Sequence, residues 1–225
     1  MTRQWVLVTG GSRGIGRALV EELAKRWNVV LTCRSDRSPS AEVIEACAGL
    51  PGWVESVACD GSDEQAVNLV APDLLARLGA PLAVIHNAGI AQDSLHIQQT
   101  SERWRQVMDT NLNAVFYWNR HLLPAMMGQG EGAIVLMSSI TGIKGNVGQT
   151  AYAASKSAMI GLAKSLALEV ARFNIRVNCL LPGIIHSEMT DAIPPEALEG
   201  AAQTNPIAAF GQGQRSRQGG GISDR

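Results

Sequence analysis

Short apolar runs rich in valine, isoleucine and leucine alternate along this chain with longer stretches in which apolar residues recur every three or four positions. Continuous apolar runs suit strands buried on both faces, and the longer stretches suit covering helices, so the alternation predicts βαβ units around a parallel sheet. Strands are expected near residues 4–9, 28–33, 53–58, 82–86, 132–138 and 175–181. Helices are expected near 14–26, 40–48, 63–78, 101–127 and 150–172, with a shorter helical segment over 187–201. Six strands joined by crossover helices make a doubly wound α/β sheet, which binds ligands at the carboxyl ends of its strands. Trp104, Met108 and Phe116 recur at helical spacing and read as core or subunit interface.

Composition narrows the function classes. With 225 residues, 46% of them hydrophobic and 17% charged, the chain suits one large core, and a single domain is expected. A net charge of −1 argues against a nucleic-acid footprint. No apolar run reaches the roughly 20 residues that span a bilayer. The run from Met1 to Val8 meets glycine too soon for a signal sequence and reads as the first strand. A soluble, cytoplasmic protein is the expectation. Cys33, Cys47, Cys59 and Cys179 are scattered without C-x-x-C spacing and read as reduced thiols. His86, His96, His121 and His186 show no ligand spacing, so no metal site is expected, and His86 reads as a satisfied core histidine.

Candidate chemistry begins in the first turn. Gly10, Gly14 and Gly16 follow the first expected strand and open a helix, so backbone N–H groups there can meet a pyrophosphate. A basic residue at the end of the second strand tolerates the 2′-phosphate of NADP, whereas an acidic one binds the ribose of NAD. Arg34 stands there, with Arg13 as a second cation, which favours NADP(H); Asp36, two positions on, keeps an NAD reading open. Further along, Tyr152 and Lys156 share one helix face with Cβ atoms roughly 5–6 Å apart. An ammonium beside the phenol is expected to favour its ionised form and make it a usable acid.

Taken together, Gly10-Gly11-Ser12-Arg13-Gly14-Ile15-Gly16, Asn87-Ala88-Gly89, Asn111, Ser139, Tyr152, Lys156 and Pro182-Gly183 make the chain resemble the short-chain dehydrogenase/reductase family from about Trp5 to Gly211. The 3-oxoacyl-(acyl-carrier-protein) reductase branch is the nearest in character. The resemblance implies a Rossmann fold and NADP(H) held along Gly10, Ser12, Arg13, Gly14, Ile15 and Gly16. It places Asp60 and Gly61 at the adenine, Asn87, Ala88 and Gly89 at the sheet end and adenosine ribose, and Pro182, Gly183, Ile185 and Ser187 toward the nicotinamide and phosphates. It gives Ser139 the substrate carbonyl oxygen, Tyr152 the proton, and Lys156 both the phenol and the nicotinamide ribose, while Asn111 anchors a water that refills the proton. Ser138 should face away from Ser139 because strand neighbours alternate. Asn113 and Ser155 read as decoys on the wrong sides of their helices. Two departures stand out: Gly61 replaces a usual aliphatic residue, and Ser187 a usual threonine. The resemblance also implies a homo-oligomer, dimer or tetramer.

Substrate choice should lie in Ile140–Thr150 and in the loop from Ile184 to about Phe210. Gly142, Gly145 and Gly148, with Ile140, Ile143 and Val147, make an apolar mouth suited to an acyl chain. The basic cluster that would receive an acidic carrier protein is weak, reading Gly128-Gln129-Gly130-Glu131-Gly132 at one place and Arg172 and Arg176 at the other. A 3-oxoacyl group on a carrier protein, a coenzyme A thioester and a free ketone or alcohol all stay open, as does a non-catalytic cofactor-binding partner. The reductase domain is expected over 1–211. Residues 212–225 form a glycine-rich tail where the family carries a helix; codons can be chosen for which a one-base shift restores that helix, so a frameshift is the expected origin, which sequencing the DNA tests.

Overall fold

The computed structural model describes residues 4–34 and 38–183. Six strands, β1 (Trp5–Thr9), β2 (Asn28–Cys33), β3 (Val54–Ala58), β4 (Ala83–His86), β5 (Gly132–Met137) and β6 (Ile175–Leu180), form one sheet in the order β3-β2-β1-β4-β5-β6. All five pairings are parallel. The order reverses between β1 and β4, and that switch point opens the crevice where a doubly wound sheet takes its ligand. Every expected strand is present, with bounds shifted by at most a residue.

Alternation of side chains across the strands divides the core in two. On one face Leu7, Val30, Val84, Ile134 and Leu136 pack under helices α3 (Glu64–Leu78), α5 (Ala114–Gln129) and α7 (Thr150–Val170). On the other, Val6, Val8, Val29, Leu31, Ile85 and Met137 meet Val20 of α1 (Gly14–Leu23) and Val43 of α2 (Ser38–Ala46). Strands β1 and β2 are buried throughout, which explains their unbroken apolar runs.

The long helix expected over 101–127 is the main correction. It is built as α4 (Ser101–Met108), a π-helical turn at Asp109–Asn113, and α5. The wide turn rotates α5 relative to α4, so the core stripe runs through Val107, Asn111, Val115, Trp118, Leu122 and Met126. Trp104 and Met108 are only partly buried and Phe116 is exposed, so they do not form the core face. A short helix not foreseen, α6 (Thr141–Lys144), comes after β5. His86 is a satisfied core histidine: its Nε2 lies 2.8 Å from Asn119 Oδ1, and burial pushes its pKa down to about 4. Among the described residues no helix is long and apolar enough to cross a membrane. The expected helix over 187–201, Ile185, Ser187, Asp36 and the tail over 212–225 lie outside the described residues.

Candidate active site

At the switch point the glycine turn is pressed against the end of β4. Gly10 adopts φ +64°, and a Cβ there would lie 2.9 Å from Ala88 Cα. At Gly16 a Cβ would come within 2.1 Å of the Gly10 carbonyl oxygen, so only glycine permits the approach. Thr9 organises the crossing: its Oγ1 accepts from the N–H groups of Asn87 and Ala88, each at 3.1 Å. The Asn87 amide donates in return to the Thr9 and Gly10 carbonyls at 3.2 and 3.0 Å. Thr32 Oγ1 accepts from Gly10 N at 3.3 Å, which fastens the turn to β2.

This crossing leaves the start of α1 open. Asp63 and Thr100 cap α3 and α4 with their side chains, whereas Arg13, the N-cap of α1, is extended and supplies no cap. The first-turn N–H groups of α1 are therefore free of a side-chain acceptor, a fit for the negative oxygens of a pyrophosphate. Arg13 and Arg34 are both exposed at that edge, Arg34 just past β2. Asp60 follows β3, and its Oδ1 accepts from Ser62 N at 3.0 Å and from Ser62 Oγ. A Cβ on Gly61 would meet Ala114 Cβ and Trp118 Nε1 at an ordinary 3.5 Å. The residues present fit a dinucleotide along these strand ends.

The reaction end is built from buried polar side chains. Ser139 follows β5, and its Oγ accepts from Thr141 N at 3.1 Å; its hydroxyl is near enough to the Tyr152 phenol to lower that group's pKa. Ser138 turns the other way, as alternation requires, and donates to the Lys156 carbonyl at 2.7 Å, pinning α7 to the end of β5. Lys156 is buried, with Nζ bonded to the Met137 carbonyl at 2.6 Å and 5.6 Å from the centre of the Tyr152 ring. A Cβ on Gly89 would lie 3.3 Å from both Lys156 Nζ and Asn111 Oδ1, so the end of β4 closes on both groups. Asn111 sits in the π-helical turn and is fully buried. Its Oδ1 accepts from Ile90 N at 2.8 Å, and its Nδ2 donates to the Ile90 carbonyl and to Ser155 Oγ, each at 3.0 Å.

One expectation needs correcting. Ser155 is no decoy: it is fully buried, holds the Asn111 amide and donates to the Tyr152 carbonyl at 2.8 Å. Asn113 does turn aside, donating to Asp109. Burial raises the pKa of the Tyr152 phenol, and the nearby Ser139 hydroxyl offsets part of that. Burial likewise pushes Lys156 down to about 8, with its ammonium donating to the Met137 carbonyl.

Thus Asn111, Ser139, Tyr152 and Lys156 gather at the ends of β4 and β5 beside Gly89, with the glycine turn, Asp60 and Gly61 further along the same carboxyl edge of the sheet. Pro182 and Gly183 end the described chain past β6. Sequence reasoning assigned no role to Thr9, Thr32 or Ser155, whose hydroxyls act within the fold and carry no motif. Among the described residues no cluster of histidine, cysteine, aspartate and glutamate could hold a metal ion.

Comparisons with known proteins agree with this fold. Residues 4–197 match the family model for short chain dehydrogenase. The chain is 35% identical over 212 residues to the 3-oxoacyl-(acyl-carrier-protein) reductase of Thermotoga maritima, covering 94% of this chain and 86% of that protein. It is 36% identical over 209 residues to the Escherichia coli reductase of the same name, covering 92% and 84%. A solved short-chain dehydrogenase/reductase from Burkholderia xenovorans superposes with a TM-score of 0.84 at 29% identity, over 92% of this chain and 83% of that one.

Proposed function

From the premise that this chain belongs to the short-chain dehydrogenase family, a family of oxidoreductases that use a nicotinamide cofactor, we propose that it is an NADPH-dependent reductase of a 3-oxoacyl thioester, giving the 3-hydroxyacyl form. The observation that carries this reading is the convergence of Ser139, Tyr152 and Lys156 at the carboxyl edge of β5, with only β4 between it and the strand of the glycine turn. The names of the relatives, 3-oxoacyl-(acyl-carrier-protein) reductases, supply the substrate class. Arg13 and Arg34, exposed where a 2′-phosphate would lie, favour NADP(H).

Gly10, Ser12, Arg13, Gly14, Ile15 and Gly16 would hold the pyrophosphate, with Asp60 and Gly61 at the adenine and Asn87, Ala88 and Gly89 along the ribose. Pro182, Gly183, Ile185 and Ser187 would complete the nicotinamide end. A bound reduced nicotinamide supplies hydride to the carbonyl carbon. Ser139 holds the carbonyl oxygen, and Tyr152 gives that oxygen its proton as charge develops. Burial of the phenol keeps it protonated until then. Lys156 lies beside Gly89, where it can bond a ribose hydroxyl and stabilise the tyrosinate left behind. Both Asn111 amide protons are spent on Ile90 and Ser155, so a water refilling the proton would be held by its oxygens.

Ile143 and Val147, both exposed, border the mouth and suit an acyl chain. A thioester free of carrier protein is a second reading, favoured because Gln129 and Glu131 present no cation before β5 and Glu131 is engaged by Gln4. Copies of the chain are proposed to associate through α5 and α7, where Phe116 and Leu168 are exposed. The test is NADPH oxidation with acetoacetyl groups on coenzyme A and on carrier protein, with NADH alongside. Turnover by NADPH, lost in Ser139→Ala and Tyr152→Phe by about 100-fold or more, supports the reading; undiminished turnover in both variants overturns it. Arg34→Ala should narrow the preference for NADPH over NADH by about tenfold.

A further inference from the structure

Ser155 stands in the second turn of α7 at a position with no solvent exposure, where alanine would suit the helix better and need no partner. Its hydroxyl has both directions in use: it donates to the Tyr152 carbonyl at 2.8 Å and accepts from Asn111 Nδ2 at 3.0 Å. Asn111 uses its remaining amide proton and its oxygen to grip the two backbone groups of Ile90. One unbroken series of hydrogen bonds therefore runs from Ile90, just past the Asn87-Ala88-Gly89 turn, through the π-helical turn, to the backbone of the tyrosine that faces Ser139. Without the Ser155 hydroxyl, an amide proton of the fully buried Asn111 has no acceptor there, and the side chain gains a reason to leave Ile90.

We propose that Ser155 is a positioning residue that locks the Gly89–Ile90 backbone and the Tyr152 turn into one unit, so that the groove wall and the proton donor keep a fixed separation. The proposal rests on the reductase reading for its kinetic consequence but not for its structural one. Asn111 can span the gap because the wide turn carries it inward. Ser155 is the acceptor that makes this orientation of Asn111 the satisfied one. Ser138 holds α7 from the other side through the Lys156 carbonyl, so the tyrosine turn is held between two hydroxyls. The two differ in reach, because only Ser155 continues to the end of β4.

The test is amide hydrogen exchange at Ile90 in the wild type, Ser155→Ala, Asn111→Ala and the double variant, together with steady-state kinetics of Ser155→Ala. Alanine suits a helix interior, so Ser155→Ala should fold. Exchange at Ile90 should quicken about tenfold in either single variant and no further in the double variant, as expected for groups acting in series. Turnover should fall about tenfold while the KM for thioester and the affinity for NADPH stay within about twofold. Unchanged exchange at Ile90 in Ser155→Ala, additive effects in the double variant, or quickened exchange with undiminished turnover would each overturn the proposal. A wild type that protects Ile90 in this series yet never oxidises NADPH would sink the reductase reading and leave the coupling standing.

Discussion

Where the turns after β1 and β4 meet, the chain approaches itself closely, with Gly10 and Gly16 leaving no room for a Cβ. One strand further on, around β5 and α7, the work passes to side chains: Asn111, Ser138, Ser155 and Lys156 are buried polar groups, each with a hydrogen-bond partner. The first region is held by absent atoms, and its vulnerability is steric. The second is held by satisfied polar atoms, and its vulnerability is desolvation. A mutation should therefore be read by which region it enters, and the two should fail differently.

Lys156→Met makes the widest separation. Turnover should fall by roughly a thousandfold, because the ammonium serves the proton donor. Stability should rise all the same. With a pKa of about 8, Lys156 is mostly charged in the folded protein at pH 7 and pays for its burial, so a methionine of similar length should gain roughly 1–3 kcal/mol. Urea unfolding beside NADPH oxidation checks both halves, and a less stable variant would break the comparison. Gly16→Ala, in the steric region, should do the reverse of that gain. Its Cβ would meet the Gly10 carbonyl oxygen at 2.1 Å and Asn87 Nδ2 at 2.6 Å, costing about 1–3 kcal/mol in unfolding measurements and weakening nucleotide binding.

His86 carries the desolvation argument to pH. The unfolded chain takes up a proton near pH 6.5, while the native imidazole, buried against Asn119, resists until about pH 4. Stability is thus full above pH 6.5 and drains as pH falls between those values, by about 1.4 kcal/mol at pH 5.5. His86→Gln should flatten that dependence. Comparing urea midpoints at pH 7.5 and 5.5 for both proteins tests it, and equal losses would place the acid sensitivity elsewhere.

The same contrast explains what could be read in advance. Strands such as Trp5–Thr9 and Asn28–Cys33 are buried on both faces, so their apolar runs carry the signal directly, and the glycine turn is legible because close backbone approach needs glycine by type. Tyr152, Lys156, Ser139 and Asn111 were legible as a set. Their supports were not. Ser155 is one serine among many until α7 meets Asn111 in space, and the π-helical turn that brings Asn111 inward has no periodic signature, since one extra residue per turn merely shifts the apolar stripe. Thr9 escaped notice for the same reason, because its hydroxyl acts on Asn87 and Ala88, residues far along the chain. The phenol's raised pKa followed from burial, which spacing on a helix does not report.

Gly61 offers the finest discrimination, because it is a glycine at the nucleotide end that the structure does not require. A Cβ there would touch Ala114 Cβ and Trp118 Nε1 at 3.5 Å, an ordinary contact, and Gly61 is not among the positive-φ glycines. Gly61→Ala should therefore relieve the unfolded chain of freedom without straining the fold, adding about 0.4–1 kcal/mol and raising the melting temperature by about 1–4 °C. NADPH affinity should stay within about twofold, since the added methyl points toward α5 and leaves the backbone N–H of residue 61 in place. Thermal unfolding and nucleotide titration of Gly61→Ala beside Gly16→Ala read the point directly. Gain at one and loss at the other would mean that the nucleotide end depends on particular close approaches. Loss at both would mean that the turn after β3 is as tightly closed as the turn after β1.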